Sequence, residues 1–199
     1  GACPRTVLAR QDELRVQMER EPVRFFVREA PALLNQAREL LAAFVGADAD
    51  RLAFVPNATA GVNAELRSLR LRAGDRLLVT DHEYNACRNV LDFVAERSGC
   101  AIDVAAIPFP LSGADQVVEA ICEAVRPATR LLLIDHVTSQ TGLVFPIEQI
   151  VGEMNARGVD TLVDGAHAPG MVPLQLEQLG ATWYTGNCHK WLCSPKGSA

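Results

Sequence analysis

The sequence predicts an α/β fold: three layers, a mostly parallel sheet with helices on both faces. Three features carry that expectation. Short apolar runs alternate with helical stretches of about ten or more residues, the order expected of βαβ units. The runs Leu131-Leu132-Leu133-Ile134 and Thr161-Leu162-Val163 are continuously apolar, as in strands covered on both faces. Polar clusters follow directly on the ends of such runs, where open α/β sheets place their ligands.

The elements follow in order. Residues 7–20 read as a polar-rich helix with Val7, Leu8, Leu14, Val16 and Met18 as its apolar positions. Pro31 opens a second helix running through Leu33, Leu34, Leu40, Leu41 and Phe44, with Gly46 as its stop. Residues 51–55 read as a short strand. The loop Pro56-Asn57-Ala58-Thr59 then leads into a helix ending near Arg72. After the Gly74-Asp75 turn come a strand at 76–80, a helix at 85–98 stopped by Gly99, and a strand at 101–107. A helix at 114–125, the strand at 131–134, a helix at 147–156 and the strand at 161–163 follow. Trp183-Tyr184 is a last short strand. The expected organisation is an N-terminal helical segment, 1–30, and a large domain over 31–199.

Composition narrows the function. The 199 residues carry a net charge of −5, with 49% hydrophobic and 22% charged residues, which fits a globular core. The acidic balance gives no general pull toward nucleic acid. No apolar run reaches the roughly 18 residues of a membrane span. Six cysteines, at 3, 87, 100, 122, 188 and 193, include no C-x-x-C pair. That argues against a zinc ribbon or a disulfide scaffold, so no metal is expected and the reduced cytoplasm is the expected setting. There is no G-x-x-x-x-G-K-[ST] and no G-x-G-x-x-G, so nucleotide-binding readings lose support.

Five polar clusters end apolar runs: Asn57-Ala58-Thr59, residues 81–85, residues 135–140, residues 164–167 and residues 187–190. In a parallel sheet they would meet at one edge, which argues for a site more strongly than any one of them alone. Asp164 closes its strand as a carboxylate; it is either a cap or an anion placed for a protonated heteroaromatic ring. The small Gly165 and Ala166 are read as leaving room for a flat ligand. Asn57-Ala58-Thr59 is either an ordinary helix cap or a phosphate site at a helix N-terminus. Of the 19 basic residues only Lys190 and Lys196 are lysines. Lys190, among Trp183, Tyr184, Cys188, Trp191 and Leu192, has the apolar surroundings that desolvate an ammonium and suit a nucleophilic amine. Lys196 lies among Pro, Gly and Ser and is read as exposed.

In this order the motifs resemble fold-type I enzymes that use pyridoxal 5′-phosphate, and more closely the class V aminotransferase family, which includes cysteine desulfurases. Asp81-His82-Glu83-Tyr84, His136 through Gly142, and Gly186 through Trp191 look most like its isopenicillin N epimerase branch. The resemblance covers essentially the whole chain. It implies that Lys190 carries the cofactor as a Schiff base and that Asp164 binds the pyridinium nitrogen. It places His167 near the phenolic oxygen, Ala58 and Thr59 on the phosphate loop, and Asn187 and His189 on the phosphate's other side. Family members stack a ring on the cofactor near positions 83 and 84; Tyr84 is favoured, since Glu83 has no ring. Ser139 stands where desulfurases often have an asparagine.

The resemblance further implies a small amino-acid-type substrate, a homodimer, and relatives about twice this length, so that this chain is expected to be roughly the first half of a longer protein. Their substrate-carboxylate arginine and the desulfurase cysteine fall in the other half. The expected activity is epimerase-like chemistry at the amino group and Cα. The alternatives are a pyridoxal-phosphate-dependent carbon–sulfur lyase or desulfurase, and a non-catalytic module.

Overall fold

The computed structural model describes residues 2–199. Among them, β1 (Arg76–Thr80), β2 (Ala101–Ala105), β3 (Thr129–Asp135), β4 (Asp160–Gly165) and β5 (Trp183–Gly186) form one sheet in the order β2-β1-β3-β4-β5. Every pairing is parallel, as expected. The helices are α1 (Arg5–Arg20), α2 (Pro22–Arg24), α3 (Ala30–Val45), α4 (Ala58–Ser68), α5 (Asn85–Ser98), α6 (Asp115–Ala124), α7 (Ile147–Ala156) and α8 (Leu176–Leu179).

The apolar strands behave as their composition requires. Successive side chains point to opposite faces. Leu131 and Leu133 enter one core with Leu77, Val79, Leu162 and the α4 and α5 residues Val62, Leu66 and Leu91. Leu132 and Ile134 enter the other with Leu78, Val163 and the α6 and α7 residues Ile121, Ile150 and Met154. Each such burial is worth about 1.5–3 kcal/mol. A third cluster, Val45, Val137, Ala168 and Leu174, anchors the end of α3 beside the sheet. None of the α1 residues is buried.

Helix α5 and helix α7 have the expected limits. Gly46 and Gly99 adopt the left-handed conformation (φ 65° and 74°) that closes α3 and α5. Two expectations need correction. Residues 51–55 are not a sheet strand: the Asp48 side chain caps a 3₁₀ turn at Ala49–Arg51. The extended stretch after it pairs through Val55 with Ala199, by two backbone hydrogen bonds of 3.0 Å. Helix α4 stops at Ser68 rather than near Arg72, because Leu69 and Leu71 turn extended and pack on the α4–α5 core. A π-helical turn, Phe25–Glu29, joins α2 to α3.

The gap at Gly165 has a different use from the one expected. A Cβ there would collide with the Tyr184 ring, so that space belongs to a neighbouring strand rather than to a ligand. Gly165→Ala is therefore expected to lower stability by about 1–3 kcal/mol, measured by urea unfolding. An unchanged midpoint would show that Tyr184 shifts freely.

Candidate active site

The chain leaves β1 for β2 on one side and returns to β3 on the other, so the strand order reverses between β1 and β3. Parallel sheets leave a crevice beyond their carboxyl ends at such a point. Here it is a cavity of about 380 Å³, lined by Asn57, Thr59, Tyr84, Asp135, Ser139, Asp164, Ala166, His167, Asn187, His189 and Lys190. All five polar clusters therefore reach it. Of the site residues named from sequence, Ala58 alone does not line it.

The α4 side is built by capping. Asn57 accepts from the Ala60 amide (2.8 Å), and Asn187 Oδ1 accepts from the Ala58 amide (2.9 Å). Ala58 thus donates to the protein itself, and buried Asn187 ties α4 to the loop after β5. Between these two capped amides lies Thr59, on the cavity wall at the electropositive end of α4. His189 Nδ1 donates to the Ser198 carbonyl (2.7 Å), which fixes its ring.

Opposite lies a concentration of acid. The parallel register sets Asp135 directly beside Asp164, and both are buried. Asp164 Oδ1 accepts from the Ala166 amide (2.9 Å) and Oδ2 accepts from the Cys87 thiol (3.2 Å). Asp135 Oδ2 and Glu83 Oε2 have no partner. Burial, then the charge of Asp164, pushes the Asp135 carboxyl up to about 8. Burial, then Asp135 and Asp164, holds Glu83 well above the usual carboxylate range. Glu83, Cys87 and Asp164 bring ligand atoms within 4.8 Å of one another. Burial holds the Cys87 thiol well above its ordinary range, however, which suits a hydrogen-bond donor better than a metal ligand.

Residues 83 and 84 divide as the side-chain chemistry favours. Tyr84 is 42% exposed and walls the cavity; Glu83 is 6% exposed and turns into the acidic group. Lys190 Nζ lies 3.0 Å from His167 Nε2, and the Trp191 indole N–H donates to His167 Nδ1 at 3.3 Å. Burial holds Lys190 below the ordinary lysine value, against the pull of Asp164 and Asp135. Burial, then Lys190, lowers His167.

Sequence reasoning did not single out Asp135, Cys87 or Trp191. Asp135 had a signal: it ends an apolar strand as Asp164 does. Cys87 had none, because its role depends on how α5 lies across β4.

The residues suit a flat, cationic heteroaromatic ring with an anionic substituent. An unpartnered buried oxygen on Asp135 beside Asp164 calls for a proton or cation from the cavity side, and an amine and a helix N-terminus stand at its other walls. The fold and this crevice define a doubly wound α/β protein with a ligand site at the switch point. The family model for aminotransferase class V matches residues 3–198, and the chain belongs to that family. It is 42% identical to isopenicillin N epimerase of Streptomyces clavuligerus over 99% of this chain and 50% of that protein. It is 30% identical to a probable chloroplastic L-cysteine desulfhydrase of Arabidopsis thaliana, over 100% of this chain and 45% of that one. The solved structure of a C-DES mutant with glycine covalently linked to its PLP cofactor superposes with a TM-score of 0.88 at 24% identity, over 98% of this chain and 52% of that one. The chain thus spans about half the length of the curated relatives it matches. Among the described residues no helix is long and apolar enough to cross a membrane.

The acidic group has a consequence for pH. Unfolded, Asp135 titrates near 4; folded, near 8. Between those values the folded chain keeps a proton that the unfolded chain has released, so rising pH favours unfolding. Without added ligand, the contribution of Asp135 to stability should be fully present below about 4 and be lost, by roughly a few kcal/mol, as pH rises to about 8. Asp135→Asn should flatten the slope. Urea unfolding at several pH values reads this, and equal slopes for the two proteins would contradict it.

Proposed function

We propose that this chain forms the cofactor-holding part of a pyridoxal-phosphate-dependent enzyme acting on the amino group and Cα of an amino acid or amino-acid-containing substrate, in the manner of isopenicillin N epimerase. One observation carries the reading: Lys190 and the buried carboxylate of Asp164 line a single cavity at the switch point of the sheet. Membership of the class V family and the 42% identity to an epimerase support it.

When bound, pyridoxal phosphate supplies an electron sink that makes the Cα proton acidic. The chain's own residues hold and orient. Asp164, braced by the Cys87 thiol and the Ala166 amide, holds the positive ring N–H. Thr59 at the α4 N-terminus, with His189 across the cavity, receives the phosphate. Asn187 keeps those two walls together. Tyr84 would cover one face of the ring, and Ser139 lines the same cavity. His167 lies against Lys190 and would sit near the phenolic oxygen. Lys190, once its amine is free, would take the Cα proton at Nζ from one face, and inversion requires a proton delivered to the opposite face. A cytoplasmic homodimer is the setting that goes with this reading. The 30% identity to a cysteine desulfhydrase favours carbon–sulfur cleavage as the second reading.

In the full-length protein, added pyridoxal phosphate should give a visible absorbance band that Lys190→Ala abolishes; no band in the unmutated protein refutes the proposal. Asp164→Asn should keep some cofactor while turnover falls roughly 10²-fold or more; unchanged turnover would remove Asp164 from its role. Product analysis separates the two reactions: inversion at Cα marks the epimerase reading, and released sulfide the lyase reading.

A further inference from the structure

The hydrogen bonds around His167 restrict its proton in a way that reaches Lys190. Trp191 Nε1 is a donor and never an acceptor. Its bond to His167 Nδ1 at 3.3 Å therefore requires a lone pair on Nδ1. A neutral imidazole with its lone pair on Nδ1 carries its proton on Nε2. Nε2 faces Lys190 Nζ at 3.0 Å. An N–H pointing at Nζ needs a lone pair there, which an ammonium lacks.

The opposite arrangement is self-consistent only without Trp191. An ammonium on Lys190 would donate to Nε2, moving the imidazole proton to Nδ1. Two N–H groups would then confront each other at the indole. An imidazolium fails for the same reason, since it carries N–H on both nitrogens. The indole is thus compatible with one state of the pair: His167 as the Nε2–H tautomer and Lys190 as the free amine.

We infer that Trp191 is a positioning residue whose indole N–H fixes the His167 tautomer and, through it, favours Lys190 as a nucleophilic amine. The inference rests on Lys190 being the cofactor lysine. The direction agrees with partial burial, which lowers both groups. Asp164, whose charge reaches both, opposes it by favouring their protonated forms, and Asp135 and Cys87 add to that pull on Lys190. In this setting the desolvation of Lys190 has a tautomeric partner that holds the amine ready and also aims an N–H into the cavity. Trp191 does so from outside the cavity lining, and touches the chemistry only through His167.

The test reads the tautomer directly, before any cofactor is added. ¹⁵N-histidine NMR of the cofactor-free full-length protein, with His167 assigned by His167→Gln, should show the proton on Nε2. Trp191→Phe keeps an aromatic ring but removes the donor. It should populate the Nδ1–H form and raise the midpoint pH for reaction of Lys190 with added pyridoxal phosphate by about half a unit to one unit. An Nδ1–H tautomer in the unmutated protein, or an unchanged tautomer and midpoint in Trp191→Phe, overturns the inference. Should Trp191→Phe fail to fold, Lys190→Ala decides. Retention of Nε2–H without the lysine supports control by Trp191, and a switch to Nδ1–H shows that the lysine had set it. A chain whose lysine does not hold the cofactor would still report its His167 tautomer, so the two failures are distinguishable.

Discussion

Two buried carboxylates side by side at the floor of the crevice constrain everything built around them. Asp135 and Asp164 are paired by the parallel register of β3 and β4, and neither can be moved without shifting a strand through both cores. Like charges this close and this buried do not both ionise unless a proton or a cation joins them. The chain meets part of that demand itself. Cys87 and the Ala166 amide are spent on Asp164, while Asp135 and Glu83 are held toward their protonated forms. The unpartnered oxygens that remain make the floor receptive to a positively charged ring N–H. This edge of the sheet thus carries an electrostatic imbalance of its own.

The other walls complete a gradient across one cavity. Buried acids, the N-terminus of α4 with Thr59, and His189 all line it. Lys190 lines it too, its amine against His167. A ligand with a cationic ring and an anionic arm has one favourable orientation in such a field. Asn187 matters here as a brace. By taking the Ala58 amide it fixes the distance between α4 and the segment that carries Lys190.

Much of this was legible in the sequence because it depends on local patterns. Gly99 ends α5, the apolar run 131–134 forms a strand buried on both faces, and polar residues follow the strand ends. The parallel order then brought the clusters to one edge. What escaped was long-range. The run at 51–55 has strand-like composition, but its pairing partner is Ala199 at the far end of the chain. The gap at Gly165 is filled by Tyr184 from the next strand, and the Ala58 amide is taken by a residue far along the chain. Cys87 became a partner of Asp164 through the way α5 lies on the sheet, which no spacing records.

The proposed function turns on a bond between pyridoxal phosphate and Lys190 in this cavity. Because the chain has two lysines, one measurement decides between them. The full-length protein is incubated with pyridoxal phosphate, reduced with borohydride and digested, and the peptides are mapped by mass. The phosphopyridoxyl group is expected on the peptide containing Lys190. Its appearance on Lys196 instead, or on no residue of this chain, would contradict the proposed function.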